Sequence, residues 1–184
     1  SAPFFFQYEF YVNLFFYHFN KMIMSNPDII KVGLAQISPV WLNKEQTVRK
    51  VTDHISSAAD ENCDLVVFGE GLIPGYPLWL GLTNGAEFDS KMQKEIFAHY
   101  LKNSINIESG ELDAITQVAR QKKISIYLGI IERPSDRSGT SLYCSLVYID
   151  KKGIIQSVHR KLQPTYDERL VWSPGDGNGL RTHR

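Results

Sequence analysis

A short apolar run that carries one carboxylate into a turn is the feature that most constrains the fold. Leu65–Phe68 is followed by Gly69-Glu70-Gly71 and then by Pro-Gly-Tyr-Pro at residues 74–77. Four apolar residues bounded by glycine and proline are typical of a buried strand. Glu70 is therefore predicted at the carboxyl end of a core strand, the edge where open α/β sheets bind ligands. For a lone strand-end glutamate a solvated turn or helix cap is the commoner role, so a catalytic role needs a second site.

The segments around this strand predict a single α/β domain. Residues 31–37 are a mostly apolar first strand, and residues 44–61 carry apolar side chains at helical spacing after a capping box of Asn43 and Gln46. This strand-helix-strand order favours parallel pairing through a crossover helix. Further helices are predicted at 90–102 and 111–122, a strand at 124–131, and a hairpin of 142–149 with 154–158 that turns at Gly153.

A second polar segment follows that hairpin. Residues 159–172 read His-Arg-Lys-Leu-Gln-Pro-Thr-Tyr-Asp-Glu-Arg-Leu-Val-Trp, and Lys161 taken alone would be an ordinary surface lysine. The two segments together resemble the nitrilase branch of the carbon–nitrogen hydrolase superfamily. The first matches the signature strand-Glu-x-x-x-Pro-Gly-Tyr-Pro, and the second matches Arg-Lys-Leu-x-Pro-Thr-x-x-Glu-Arg-Leu-Val-Trp. The resemblance extends from residue 30 to about residue 179.

The resemblance implies a fold, a reaction and three catalytic residues. The implied fold is an α-β-β-α sandwich, with residues 30–184 as its amino-terminal part and the carboxyl-terminal part incomplete. Glu70 matches the general base, Lys161 the catalytic lysine, and Glu168 the glutamate that supports that lysine. The expected reaction converts a small nitrile and water to a carboxylate and ammonia. An amidase, a nitrile-hydrating relative or a non-catalytic binding protein on the same scaffold are the alternatives. No cofactor or metal is implied, and the full-length protein is expected to be a cytoplasmic homo-oligomer.

The family's nucleophile is a cysteine on a strand after the block that ends at Trp172. Cys63 and Cys144 both precede Lys161 and match no nucleophile position, and each is predicted to be a small core residue. We therefore expect the nucleophile beyond residue 184, and no nitrile turnover by these 184 residues alone. Trp79 and Trp172 lie next to the two motifs and are candidates to wall a substrate pocket.

Composition excludes several other classes of function. Lys+Arg and Asp+Glu both number 20, so no net field favours nucleic acid or an anionic membrane surface. The five histidines and two cysteines show neither metal-ligand spacing nor a disulfide framework.

Ten of the first 20 residues are aromatic, but polar residues interrupt them too often for a membrane span. Residues 1–21 are interpreted as a leader outside the family-like region, with a weak interfacial membrane anchor as the alternative.

Overall fold

Five strands form one mixed sheet in the computed structural model, which describes residues 30–183. The strands are β1 (Val32–Ala35), β2 (Leu65–Phe68), β3 (Ser125–Glu132), β4 (Tyr143–Ile149) and β5 (Ile155–Arg160), and they lie in that order across the sheet. Pairing is parallel from β1 to β3 and antiparallel from β3 to β5. The predicted parallel unit and the predicted hairpin are both confirmed.

Four α-helices and one 3₁₀-helix complete the described part of the chain. They are α1 (Lys44–Asp60), α2 (Trp79–Leu82), α3 (Lys91–Asn103), α4 (Asp113–Lys122) and the 3₁₀-helix Tyr166–Leu170. Asn43 caps α1 by accepting the Gln46 backbone N–H at 3.0 Å, which is one half of the predicted capping box. Gly153 closes the β4–β5 turn with φ +73°, a backbone region that favours glycine.

The main core lies between one face of the sheet and helices α1 and α4. Val51 and Ile55 of α1 and Ile115 of α4 are fully buried there, against alternate residues of the strands such as Ile126 and Leu128. The buried positions of α1 have the helical spacing that the sequence predicted, and the buried residues of the strands alternate along the chain. One sheet covered by helices on one face is half of the predicted sandwich.

The opposite face of the sheet is covered at one end, where Ile131 and Cys144 pack in a second cluster with helices α2 and α3. Its central row consists of Leu34, Val67, Tyr127 and Tyr148, which the strand register places side by side. Leu34 is 50% exposed. The predicted leader at residues 1–21 lies outside the described residues. Among residues 30–183 there is no helix long and apolar enough to cross a membrane.

Three strand ends meet at one edge of the sheet and bring the two motifs together. The carboxyl ends of β2 and β5 and the amino end of β4 all lie there, because β4 runs antiparallel to both of its neighbours. The chain leaving β2 also crosses over β3, where Ile73 forms a bridge with Ile130. Gly129 permits this crossing, since a Cβ there would lie 2.1 Å from the carbonyl oxygen of Gly69.

Candidate active site

Lys161 joins two carboxylates that come from distant parts of the chain. Its Nζ lies 2.7 Å from Oε1 of Glu70, which follows β2, and 2.9 Å from Oε2 of Glu168, in the 3₁₀-helix. Lys161 itself directly follows β5. The structure therefore brings together all three of the site residues that the sequence predicted, on one edge of the sheet.

Glu168 is the buried member of this cluster, at 4% exposure. Its Oε2 accepts the backbone N–H of Thr165 at 2.7 Å and the Thr165 hydroxyl at 3.1 Å, as part of a capping box that starts the 3₁₀-helix. Burial favours the neutral acid, but the bonds from Thr165 and Lys161 outweigh it and hold the pKa of Glu168 below its usual range. Glu168 is thus a fixed anion beside Lys161.

Lys161 is held in place through both its backbone and its ammonium group. Its N–H donates to the carbonyl of Cys144 at 2.7 Å, and its carbonyl accepts the Gly175 N–H at 2.9 Å. Burial alone would lower the pKa of Lys161, but the bonds to Glu70 and Glu168 overcome it and raise that pKa above the usual value. The site therefore contains a permanent cation.

Cys144 has an environment different from the one its sequence predicts. It is buried, as expected of a core residue, but its Sγ donates a hydrogen bond to Oε1 of Glu70 at 3.4 Å. The prediction of a mere core hydrophobe is therefore incomplete. Burial and the neighbouring Glu70 carboxylate raise the pKa of the Cys144 thiol strongly. The proton therefore stays on sulfur, and the Cys144 thiol is a hydrogen-bond donor to Glu70.

Cys63, the second cysteine, is the core residue that the sequence predicted. It is buried in the main core beside α1, 7% exposed, and far along the sheet from the charged cluster. Burial raises the pKa of this thiol as well.

Aromatic side chains form one wall of the charged cluster. The Trp172 ring lies 5.7 Å from Lys161 Nζ, and Tyr76 packs edge-on against that ring at 5.6 Å. The Tyr76 hydroxyl donates to Oε1 of Glu168 at 3.2 Å. Trp79, the other tryptophan proposed as a wall, packs instead against Tyr100 at 4.8 Å.

Two contacts of this site were absent from the sequence-based prediction. Thr165 and Glu168 have the spacing of a capping box, a pattern that is visible in the sequence before Tyr166. The contact between Cys144 and Glu70 has no such signal, because it depends on the β3–β4 register and on the crossing at Gly129. No group of three or more His, Cys, Asp or Glu side chains within residues 30–183 is arranged to hold a metal ion.

The arrangement can accept a proton and stabilise a negative charge at neighbouring points. Half of the Glu70 side chain is exposed, at 52%, so a reacting group can reach its carboxylate. Lys161 has three N–H donors, and its Nζ lies within hydrogen-bond distance of Oε1 of Glu70 and of both carboxylate oxygens of Glu168. A base beside a fixed ammonium is the equipment needed for attack on a carbon–nitrogen multiple bond or an amide.

Comparison with known proteins identifies the same family that the two sequence motifs resemble. A family model described as carbon-nitrogen hydrolase matches residues 31–182. Among curated relatives, Nitrilase 2 of an unknown prokaryotic organism is 35% identical over 84% of this chain and 47% of its own length. An arylacetonitrilase of Hypocrea virens is 36% identical over 85% of this chain and 44% of its own length. An aliphatic nitrilase of Rhodococcus rhodochrous is 34% identical over 83% of this chain and 40% of its own length. The chain thus spans less than half the length of these relatives.

Solved structures agree on the fold. An amidase from Nesterenkonia sp. superposes with a TM-score of 0.56 over 80% of this chain and 48% of its own, at 15% identity. A double mutant of the amidase from Nesterenkonia sp. AN1, in complex with acrylamide, superposes with a TM-score of 0.56 over 84% of this chain and 51% of its own, at 13% identity. At such low identity the likeness concerns architecture, and it confirms the predicted α/β sandwich class.

Proposed function

Because this chain belongs to the carbon–nitrogen hydrolase family, we propose that it is the amino-terminal part of a nitrilase that converts a small nitrile to a carboxylate and ammonia. The observation that carries the proposal is the ammonium of Lys161, fixed between the carboxylates of Glu70 and Glu168 at 2.7 and 2.9 Å. The proposed nucleophile is a cysteine that lies beyond residue 184.

Each of the three charged residues has a proposed task. Glu70 accepts the thiol proton, so that sulfur attacks the nitrile carbon and a thioimidate forms. Lys161 donates to the nitrogen, where negative charge develops. Glu70 then activates one water that expels ammonia and a second that releases the carboxylate from the acyl-enzyme. Glu168, anchored by Thr165 and Tyr76, keeps the ammonium in position.

A nitrilase is favoured over an amidase by the curated relatives. Those at 32–36% identity are named nitrilase, arylacetonitrilase or aliphatic nitrilase, whereas the amidase structures share only 13–15% identity. The proposed substrates are accordingly nitriles with an aliphatic or arylacetic side chain.

The test uses the extended protein, meaning this chain together with the coding sequence that follows Arg184 in its gene. Phenylacetonitrile, butyronitrile and the two corresponding amides are supplied, and ammonia, acid and amide are measured. We expect acid as the main product from at least one nitrile. Glu70→Gln and Lys161→Met should each lower kcat/KM by about 10³-fold or more.

Lys151→Met is the matched control, because Lys151 forms an ion pair with Asp64 in which the two side chains are 52% and 41% exposed. Its kcat/KM should remain close to wild type. Turnover of the amides without turnover of the nitriles would contradict the nitrilase assignment and favour an amidase. A stop codon directly after Arg184, or an inactive extended protein, would favour the non-catalytic alternative.

A further inference from the structure

The two oxygens of the Glu70 carboxylate have different surroundings. Oε1 accepts from Lys161 Nζ at 2.7 Å and from Cys144 Sγ at 3.4 Å. No donor within residues 30–183 forms a hydrogen bond with Oε2. The carboxylate is therefore held by two donors on one oxygen, while half of the Glu70 side chain is exposed.

We propose that the Cys144 thiol is a positioning group for Glu70, which together with Lys161 fixes Oε1 and leaves Oε2 as the oxygen that accepts the nucleophile's proton. This inference rests on the proposed function, since it gives the proposed base a defined orientation. Cys144 acts through Glu70 and contacts no reacting atom.

Glu70 needs such a second donor because its own segment restrains it little. It lies between Gly69 and Gly71 in a turn, with half of its side chain exposed. The terminal torsion of a glutamate is broad and roughly two-fold. One flexible lysine on one oxygen leaves the carboxylate free to swing, whereas a second donor from a different direction restricts that rotation.

Cys144 is itself rigid enough to provide that restraint. It lies within β4, paired with Ile131 of β3, and its carbonyl accepts the Lys161 N–H at 2.7 Å. One residue thus contacts the proposed base through its side chain and the proposed lysine through its backbone. Its raised thiol pKa keeps the proton on sulfur, so the thiol remains a donor across the working pH range.

The test compares Cys144→Ala and Cys144→Ser in the extended protein, with Cys63→Ala and Cys63→Ser as matched controls. A thiol is a weak donor and a hydroxyl a stronger one of similar size. Cys144→Ala should lower kcat about 5- to 10-fold with KM changed less than about 2-fold. Cys144→Ser should recover kcat to within about 2-fold of wild type. Both Cys63 variants should leave kcat unchanged and lower only the melting temperature, because Cys63 is buried in the main core.

A purely structural role for Cys144 predicts the opposite pattern. In that case Cys144→Ser, which places a hydroxyl in an apolar cluster, would have a melting temperature at least as low as that of Cys144→Ala. Neither substitution would change kcat per folded molecule. Equal kcat values for wild type and Cys144→Ala would overturn the proposal.

A spectroscopic measurement separates this inference from the proposed function. The S–H stretching band of Cys144 is isolated as the infrared difference between wild type and Cys144→Ala. Glu70→Ala should shift that band toward the frequency of a free thiol, whether or not the protein hydrolyses nitriles. An unshifted band would overturn the positioning role even in an active enzyme. A shifted band in an inactive protein would refute the nitrilase assignment while the contact with Glu70 stands.

Discussion

At the scale of single residues, a buried carboxylate sets the geometry of the candidate site. Glu168 is 4% exposed and has Thr165, Tyr76 and Lys161 as donors. Unpaired, such a charge is costly to bury. The bonds from Thr165 and Lys161 account for the lowered pKa of Glu168, and all three donors are consistent with its role as the anchor of Lys161.

The lowered pKa of Glu168 predicts a specific pH dependence of stability. A carboxylate whose folded pKa is depressed stabilises the fold above its unfolded pKa, here close to the ordinary 4.5, and loses that contribution as pH falls through the folded value. Melting temperatures of the extended protein and its Glu168→Gln variant should therefore differ most near pH 7. The difference should shrink as pH falls below about 4.5. A gap that stays constant from pH 7 to pH 3 would contradict an ionised, paired Glu168.

Lys161 should matter to stability as well as to catalysis. Lys161→Met leaves Glu168 without its cationic partner in a nearly buried place, which should lower the free energy of unfolding by about 1–3 kcal/mol. Lys151→Met removes only an exposed ion pair and should cost less than about 1 kcal/mol. Urea denaturation of the extended protein measures both values. Equal losses for the two variants would show that Lys161 is no more constrained than a surface lysine.

How far the sequence predicted this site can be stated residue by residue. Glu70, Lys161 and Glu168 were identified by family resemblance, and the structure brings their charged groups within hydrogen-bond distance. Cys144 was predicted only to be buried. Glu70 follows β2 and Cys144 lies in β4, so their contact reaches across the intervening strand β3. A one-residue change in the β3–β4 register would turn the Cys144 side chain to the other face. No local pattern encodes such a contact.

At the scale of the elements, the periodic helix α1 and the apolar strand β2 were predictable, and the shortest helices were not. The helix predicted at 44–61 is α1 at Lys44–Asp60, and the strand predicted at 65–68 is β2 with those bounds. Helix α2 has only four residues and the 3₁₀-helix has five, fewer than a hydrophobic period requires to be recognised. Tertiary contacts rather than periodicity determine these short elements.

The crossing of the Glu70 segment over β3 gives a prediction about two glycines. Gly129→Ala would place a methyl group 2.1 Å from the Gly69 carbonyl oxygen, so the chain carrying Glu70 must move away from β3. We expect about a 10²-fold loss of kcat/KM and a lower melting temperature. Gly69→Ala is the control, because no atom lies within 4 Å of a Cβ there. Activity retained in Gly129→Ala would show that this crossing does not position Glu70.

At the scale of the whole molecule, the two faces of the sheet differ in what covers them. Helices α1 and α4 bury one face, where Ile126, Leu128 and Val147 have no exposed area. On the other face Tyr127 stacks on Tyr148 at 4.7 Å, and His183 lies against Tyr148 at 4.2 Å. Leu34 and Leu146 of that face stay 50% and 38% exposed. A family fold with two sheets between its helical layers requires cover for this face.

The exposed sheet face predicts opposite behaviour for the 184-residue chain and the extended protein. We expect the 184-residue chain to aggregate or to bind a hydrophobic dye strongly, because Leu34 and Leu146 of this sheet face are exposed. We expect the extended protein to be soluble and oligomeric. Leu146→Glu should reduce dye binding by the short chain. In the extended protein the same change should lower the melting temperature, because it would bury a charge without a partner. Dye fluorescence, size-exclusion chromatography with light scattering and thermal melts measure these effects. A monomeric short chain that melts cooperatively and binds no dye would mean that residues 1–184 form a self-sufficient domain, and would favour the non-catalytic alternative.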